Sequence, residues 1–364
     1  MTVDLTYSDT EGALRDSLRS LLAAHCAPAR VAAIYDGDDA VVAQLWQTVS
    51  GAMELPGLGI ADALGGGAAT AREVAIAAEE LGRFVAPIPF LTSSVIAANV
   101  LTSCSADDLA RSLVDGSQVA VLAAPWTSLS LPGVGLPRID ADGRLDGSVR
   151  ATADAHLATV LLVPATRDGI LTLCAVELGE GVGIARLSCL DMTRQLSDID
   201  LIGARGVELA RGQAAAEAIQ SGLLHGAAML ASEQLGIADW CLEQTVEYVK
   251  QRHQFGRAIG SFQSIKHRLA RLWIAVGSAR AAARNAAVLI DGRGREAVEA
   301  VALAQSYCSD VAVLAAEECI QIHGGIGMTW EHPAHLYLKR AKADQLALGS
   351  PAHHRAVLAQ LQRL

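Results

Sequence analysis

The chain has 364 residues, of which 51% are hydrophobic and only 4% aromatic, with a formal net charge of −10. That length exceeds one ordinary domain, and an aliphatic, alanine-rich composition favours close-packed helices over an aromatic-studded β-sandwich. The acidic balance without a long Lys/Arg run argues against nucleic acid as a partner. No apolar run is read as approaching the ~18 residues that span a bilayer, and the start MTVDLTYSDTEG has no signal pattern, so no membrane is expected and a cytoplasmic location is.

The first hundred residues carry a helical period. TEGALRDSLRSLLAAHC sets Leu14, Leu18 and Leu21 on one face, after Ser8 and Asp9 as caps. A Gly65–Gly67 loop precedes a second amphipathic helix, AREVAIAAEELGRF. Its spacing is not that of a dinucleotide-binding turn, so it reads as a structural loop. From about Ser117 the short apolar runs VAVLAA, TVLLVPA and ILTLCAVEL alternate with Gly, Asp and Pro clusters. They read as strands of a small β-domain that ends near Arg211. Helical stripes then return. Leu223, Ala227, Leu230, Ile237, Cys241 and Tyr248 form the first, and Ile265, Leu269, Leu272, Val276 and Ala279 the second. Val301, Cys308, Val311, Ala315 and Cys319 form the third. Three long helices with short connections imply an antiparallel bundle. The expected fold is α+β and mostly α: an N-terminal helical domain over 1–116, a middle β-domain over 117–211 and a C-terminal helical bundle over 212–364.

The seven cysteines (Cys26, Cys104, Cys174, Cys189, Cys241, Cys308 and Cys319) are scattered and never in a Cys-x-x-Cys pair. They read as small buried hydrophobes in a reducing compartment. His353 and His354 are adjacent, and neighbours on a helix diverge, which argues against a metal site.

Two C-terminal stretches carry chemistry: RHQFGRAIGSFQ, Arg252 to Gln263, and QIHGGIGMTWEHPAHLYLKRAKADQLALGS, Gln321 to Ser350. Together they resemble the C-terminal helical domain of acyl-CoA dehydrogenases, and EELGR (Glu79 to Arg83) resembles their N-terminal helical domain. The order α, β, α is that family's architecture. Arg252, Phe255 and Gly256 match its Arg-x-x-Phe-Gly, with Gln263 eleven residues past the arginine. The resemblance implies FAD shared at a subunit interface, with the arginine forked onto its pyrophosphate across a dimer. It also implies that Phe255 and Gln263 line the cofactor. Gln321, Gly324 and Gly325 match Gln-x-x-Gly-Gly, whose backbone passes the adenosine-diphosphate part of FAD, and His323 lies inside that motif. On residue chemistry alone Arg252 is also a charge ending a long helix, and the glycines are also a helix C-cap.

Other family positions are missing. The catalytic glutamate that precedes Gly-Thr in the family is Leu348 here, before Gly349 and Ser350. The alternative base site, on the first long helix of the last domain, falls at Gly226 and Ala227. In the β-domain the family's Thr-Glu-Pro-x-Ala-Gly-Ser region reads AAPWTSLSLPG, and its Trp-Ile-Thr reads ATA at Ala151 to Ala153. That loss removes a stacking plane and hydrogen bonds for the flavin. Asp344, Glu331 and His225 are weighed as substitute bases.

The resemblance therefore implies a base-lacking subunit of a hetero-oligomeric, FAD-dependent acyl-CoA dehydrogenase, similar to the degenerate partners in steroid and sterol side-chain catabolism. A base-bearing partner, in an α2β2 assembly, would remove the α-proton of an acyl-CoA and seat the flavin that takes the β-hydride. Two alternatives stay open: a self-sufficient homo-oligomer with a displaced base, and a non-enzymatic acyl-CoA-binding or scaffold protein.

Overall fold

Local chemistry starts the first helix where expected. Ser8 Oγ accepts the Glu11 backbone N–H, and the Glu11 carboxylate accepts the Ser8 N–H, a reciprocal cap on α1 (Asp9–His25). The buried stripe of that helix is Leu18 and Leu22, with Leu14 and Leu21 only half-buried. The expected face is thus rotated by one residue. The computed structural model describes residues 4–131, 135–292 and 294–363. After α1 come α2 (Pro28–Ala32), α3 (Ala40–Met53), α4 (Ala71–Arg83), a π-helical stretch at Phe90–Ala97, α5 (Ala98–Ser103) and α6 (Asp107–Ser112). Strands follow: β1 (Ala120–Leu122), β2 (Arg138–Ile139), β3 (Arg144–Ala153), β4 (Val160–Arg167), β5 (Ile170–Glu177), β6 (Val182–Arg186), β7 (Leu196–Arg205) and β8 (Val207–Arg211). The last third holds α7 (Gln213–Gln251), the short strands β9 (His253–Gln254) and β10 (Arg257–Ala258), then α8 (Gln263–Ile290), α9 (Gly294–His323), α10 (Ala334–Leu346) and α11 (Pro351–Gln362).

The chain divides into two compact units, one of 39–70 and 87–227, the other of 1–38, 71–86 and 228–364. The first holds the sheet, in the order β6-β7-β3-β2-β4-β5-β8 among the described residues, with β1 pairing β4 in parallel. β1 and most of β4 are buried on both faces and so read as unbroken apolar runs. β3 and β7 alternate buried and open residues, and β3 bulges between Val149 and Thr152, where Ala151 takes a φ of 53°. The triple-glycine loop is structural: a Cβ on Gly66 would stand 2.3 Å from the Ile60 carbonyl oxygen.

In the second unit, α4 and α7 cross closely. A Cβ on Gly82 would lie 2.1 Å from Glu233 O, and one on Gly236 would lie 1.9 Å from Glu79 O. Each glycine admits the other helix's backbone. A buried ion pair at 2.6 Å joins Arg340 on α10 to Glu233 on α7. Next to it Gln234 Nε2 donates to Ser309 Oγ on α9 at 3.0 Å and to Asp344 O on α10 at 3.2 Å. Tyr337 stacks on Trp240 at 3.5 Å and donates to Arg83 O at 2.7 Å. The third expected stripe is wholly buried, while the second begins half-buried at Ile265 and Leu269 beside an exposed Trp273. One expectation is corrected. The stretch Gly294–Met328 is long and apolar enough to cross a membrane by length and composition, and 67% of its apolar window is buried inside the protein. Its alanines pack against α8, α10 and α11, so it is apolar around more than one stripe.

Candidate cofactor edge and base position

Beyond α7 the chain reverses through β9 and β10, and Phe255 and Gly256 form the tip with φ of 54° and 76°. Paired left-handed residues are what a two-residue hairpin turn demands. Glycine adopts that conformation freely, whereas a bulky residue does so at about 1–3 kcal/mol. Burial does not repay Phe255, whose ring is 91% exposed and meets Phe262 edge-on at 6.1 Å. Arg252 is anchored through its backbone, its N–H to Tyr248 O and its carbonyl to the Ile259 N–H, both at 2.8 Å. Its side chain is exposed and has no ion-pair partner among the described residues, and Gln263 is exposed at the start of α8.

The glycine turn lies at the end of α9. Gly324 needs its φ of 66°, and a Cβ on Gly324 or Gly325 would meet nothing within 4 Å. Both are open outward, as is Gln321. Gly327 differs: a Cβ there would stand 2.8 Å from Ile320 O. His323 is buried, with Nδ1 2.7 Å from Cys319 O and its ring 4.2 Å from both Tyr248 and His332. Burial works against charge on His323, but hydrogen bonding to Cys319 outweighs it and raises its pKa. The Cys319 thiol is held low by the Cys241 thiol first and then by His323. Tyr248 stands one turn before Arg252 and stacks on the residue before Gly324, so it ties the hairpin to the glycine turn. The sequence stripe marked Tyr248 only as a core position.

The base position is a second turn of the same kind. Leu348 has a φ of 48° and is 1% exposed, and Gly349 follows at 94°. Its carbonyl accepts from His354 Nε2 at 3.0 Å, and burial drives the His354 pKa down to about 4. A buried leucine side chain takes no proton. Gly226 and Ala227 are buried as well. Of the substitute bases, Asp344 is fully buried, Glu331 is exposed, and His225 Nδ1 sits 2.8 Å from Ser221 O within its own helix.

In the β-domain, Ala151 carries no ring. The nearby Trp126 is buried under the Arg194 guanidinium, 5.3 Å from its centroid. A separate cavity of about 340 Å³ is lined by Arg15, Arg19, Glu79, Arg83, Asp239 and Arg280. Three of its arginines are engaged by carboxylates, Arg19 with Glu80, Arg83 with Glu243 and Arg280 with Asp239. Against FAD, the exposed edge fits: a free guanidinium for phosphate, an amide, an aromatic face and two glycines open to close approach. In the β-domain, Ala151 offers the flavin no ring to stack on.

Models of the acyl-CoA dehydrogenase N-terminal and C-terminal domains match residues 8–114 and 216–361. The chain is 32% identical over 359 residues, 98% of either chain, to the acyl-CoA dehydrogenase IpdE2 of Mycobacterium tuberculosis. Among solved structures it is similar to the ChsE4-ChsE5 complex of Mycobacterium tuberculosis, at 25% identity and a TM-score of 0.86 over 99% of both chains. It is also similar to a Tcur3481-Tcur3483 steroid ACAD variant, at 26% identity and a TM-score of 0.84 over 98% of both. The chain belongs to the acyl-CoA dehydrogenase family.

Proposed function

We propose that this chain is the base-lacking subunit of a hetero-oligomeric, FAD-dependent acyl-CoA dehydrogenase that desaturates the α,β-bond of an acyl-CoA. The carrying observation is Leu348, buried and apolar at the base position while the cofactor edge stays intact and exposed. FAD, when bound, supplies the acceptor for the β-hydride. Toward it this chain gives Arg252 for the pyrophosphate, Phe255 and Gln263 for the cofactor's flank, and the Gln321 to Gly325 turn for close backbone approach. His323 supports that turn from beneath. The partner subunit supplies the carboxylate that takes the α-proton, and the flavin seat.

An α2β2 assembly matches this division of labour. The likeness to a complex of ChsE4 and ChsE5 and to a steroid ACAD supports both a partner and a bulky, steroid-derived acyl group. A self-sufficient homo-oligomer would need a displaced base such as Asp344, and a carboxylate walled off at 0% exposure is poorly placed to reach substrate.

Co-expression tests the reading. With a base-bearing partner the chain should copurify yellow, with fewer FADs than polypeptides, and be FAD-poor when expressed alone. A homotetramer of this chain that holds one FAD per chain and turns over acyl-CoA would overturn it.

A further inference from the structure

The β-domain lacks the family's tryptophan at Ala151, yet an indole stands beside that position. The Trp126 backbone N–H donates to the Ala151 carbonyl at 2.9 Å, which joins the two segments the family uses for the flavin ring. Trp126 is 7% exposed and Arg194 is 5% exposed. A guanidinium over an aromatic face in a desolvated site is attractive and covers one face of the indole.

Its placement also costs something. The Trp126 indole N–H has no hydrogen-bond partner among the described residues. Neither do Thr152 Oγ1 and Ser197 Oγ, which sit opposite each other on β3 and β7. A buried tryptophan chosen for stability reaches a partner with its N–H. Here the bulk is kept although the donor goes unmatched. Ala151, at the bulge with a φ of 53°, brings its carbonyl to the Trp126 N–H.

We propose that Trp126, clamped by Arg194, is a plug that closes this chain's own flavin seat and so fixes which subunit of the assembly is loaded. The proposal rests on the shared-cofactor reading above and adds a cause to it. The seat is not merely stripped of flavin contacts; it is filled. Trp126 is then a specificity-determining residue for cofactor placement.

FAD titrated into the protein as it purifies with its partner, read by flavin fluorescence, tests this on wild type, Trp126→Ala, Trp126→Phe and Arg194→Ala. Wild type and Trp126→Phe should show no further saturable site, because both keep an aromatic plug. Trp126→Phe also loses the unmatched donor and should melt no lower than wild type. Trp126→Ala should gain a saturable FAD site about tenfold or more tighter than any wild-type uptake, and Arg194→Ala should move the same way by less. A correctly melting Trp126→Ala protein with wild-type uptake overturns the plug. If that variant does not fold, Trp126→Leu and Arg194→Ala must show the gain, or the proposal falls. Wild-type protein that already carries one FAD in every chain would sink the shared-cofactor reading and the plug together. FAD-poor wild type beside FAD-poor Trp126→Ala sinks the plug alone.

Discussion

Two turns in the last third of the chain share paired positive φ values and differ in where they hold the side chain. Phe255-Gly256 and Leu348-Gly349 each place a large residue and then a glycine at positive φ, 54° and 76° in one, 48° and 94° in the other. The first holds its side chain out at 91% exposure; the second buries it at 1%. Conformations of this kind cost about 1–3 kcal/mol and persist where the surroundings hold them. At Phe255 the strained turn holds a ring in the open. At Leu348 the same device aims a side chain that can do no proton chemistry. Backbone geometry alone therefore does not identify a catalytic turn; the side chain at its tip does.

Both turns hang from one frame, since α7 leads into Arg252 and α10 leads into Leu348, and Glu233 pairs with Arg340 between them. Breaking that frame should have the largest effect. Arg340→Met removes the guanidinium from a buried ion pair and should cost about 3–5 kcal/mol in denaturant unfolding. Adding Glu233→Leu should return much of that loss, since an apolar pair of similar volume replaces a buried ion pair at little cost.

The base turn should also respond to acid. His354, buried against the Leu348 carbonyl, has its folded pKa depressed to about 4 from 6.5. Its contribution is fully present above pH 6.5 and lost as pH falls through the window to about 4, because the unfolded chain then binds a proton that the folded one refuses. The loss amounts to as much as ~3 kcal/mol. His354→Gln should flatten that part of the melting-temperature profile against pH, and an unchanged profile would place the acid sensitivity elsewhere.

The cofactor turn should respond to loss of charge. Arg252→Ala removes a charge-assisted phosphate contact worth roughly 1.5–3 kcal/mol, about a tenfold to hundredfold weakening of FAD retention. Arg252→Lys should rescue it only in part, because a point charge lacks the fork. Unchanged flavin content in the Ala variant would return Arg252 to the role of a helix-end charge. The smallest effect is expected at the other turn: Leu348→Glu should add no turnover. A carboxyl in that apolar site would stay protonated.

Local patterns made part of this legible. Ser8 and Glu11 are three residues apart, so the cap of α1 is a local signal, and the register from Arg252 to Gln263 was legible through the family resemblance. β1, β4 and β5 stood out as apolar runs, whereas β3 and β7, mixed in polarity, did not. Leu22 in place of Leu21 was lost to a one-residue rotation of α1 against its neighbours. What the sequence concealed are pairings made by the fold: Gly82 against Glu233 O, Gly236 against Glu79 O, Glu233 with Arg340, Tyr248 on His323, and Arg194 over Trp126. Most of these partners lie tens of residues apart or more, and no periodicity links them.

This chain is proposed to edge the cofactor without supplying the base. Anaerobic bleaching of the flavin absorbance by acyl-CoA tests it most directly, comparing the co-purified complex with its Asp344→Asn variant in this chain and with a variant lacking the partner subunit's carboxylate base. The account predicts wild-type bleaching with Asp344→Asn and none without the partner's carboxylate. Bleaching lost on Asp344→Asn, with FAD bound and the assembly intact, would contradict it.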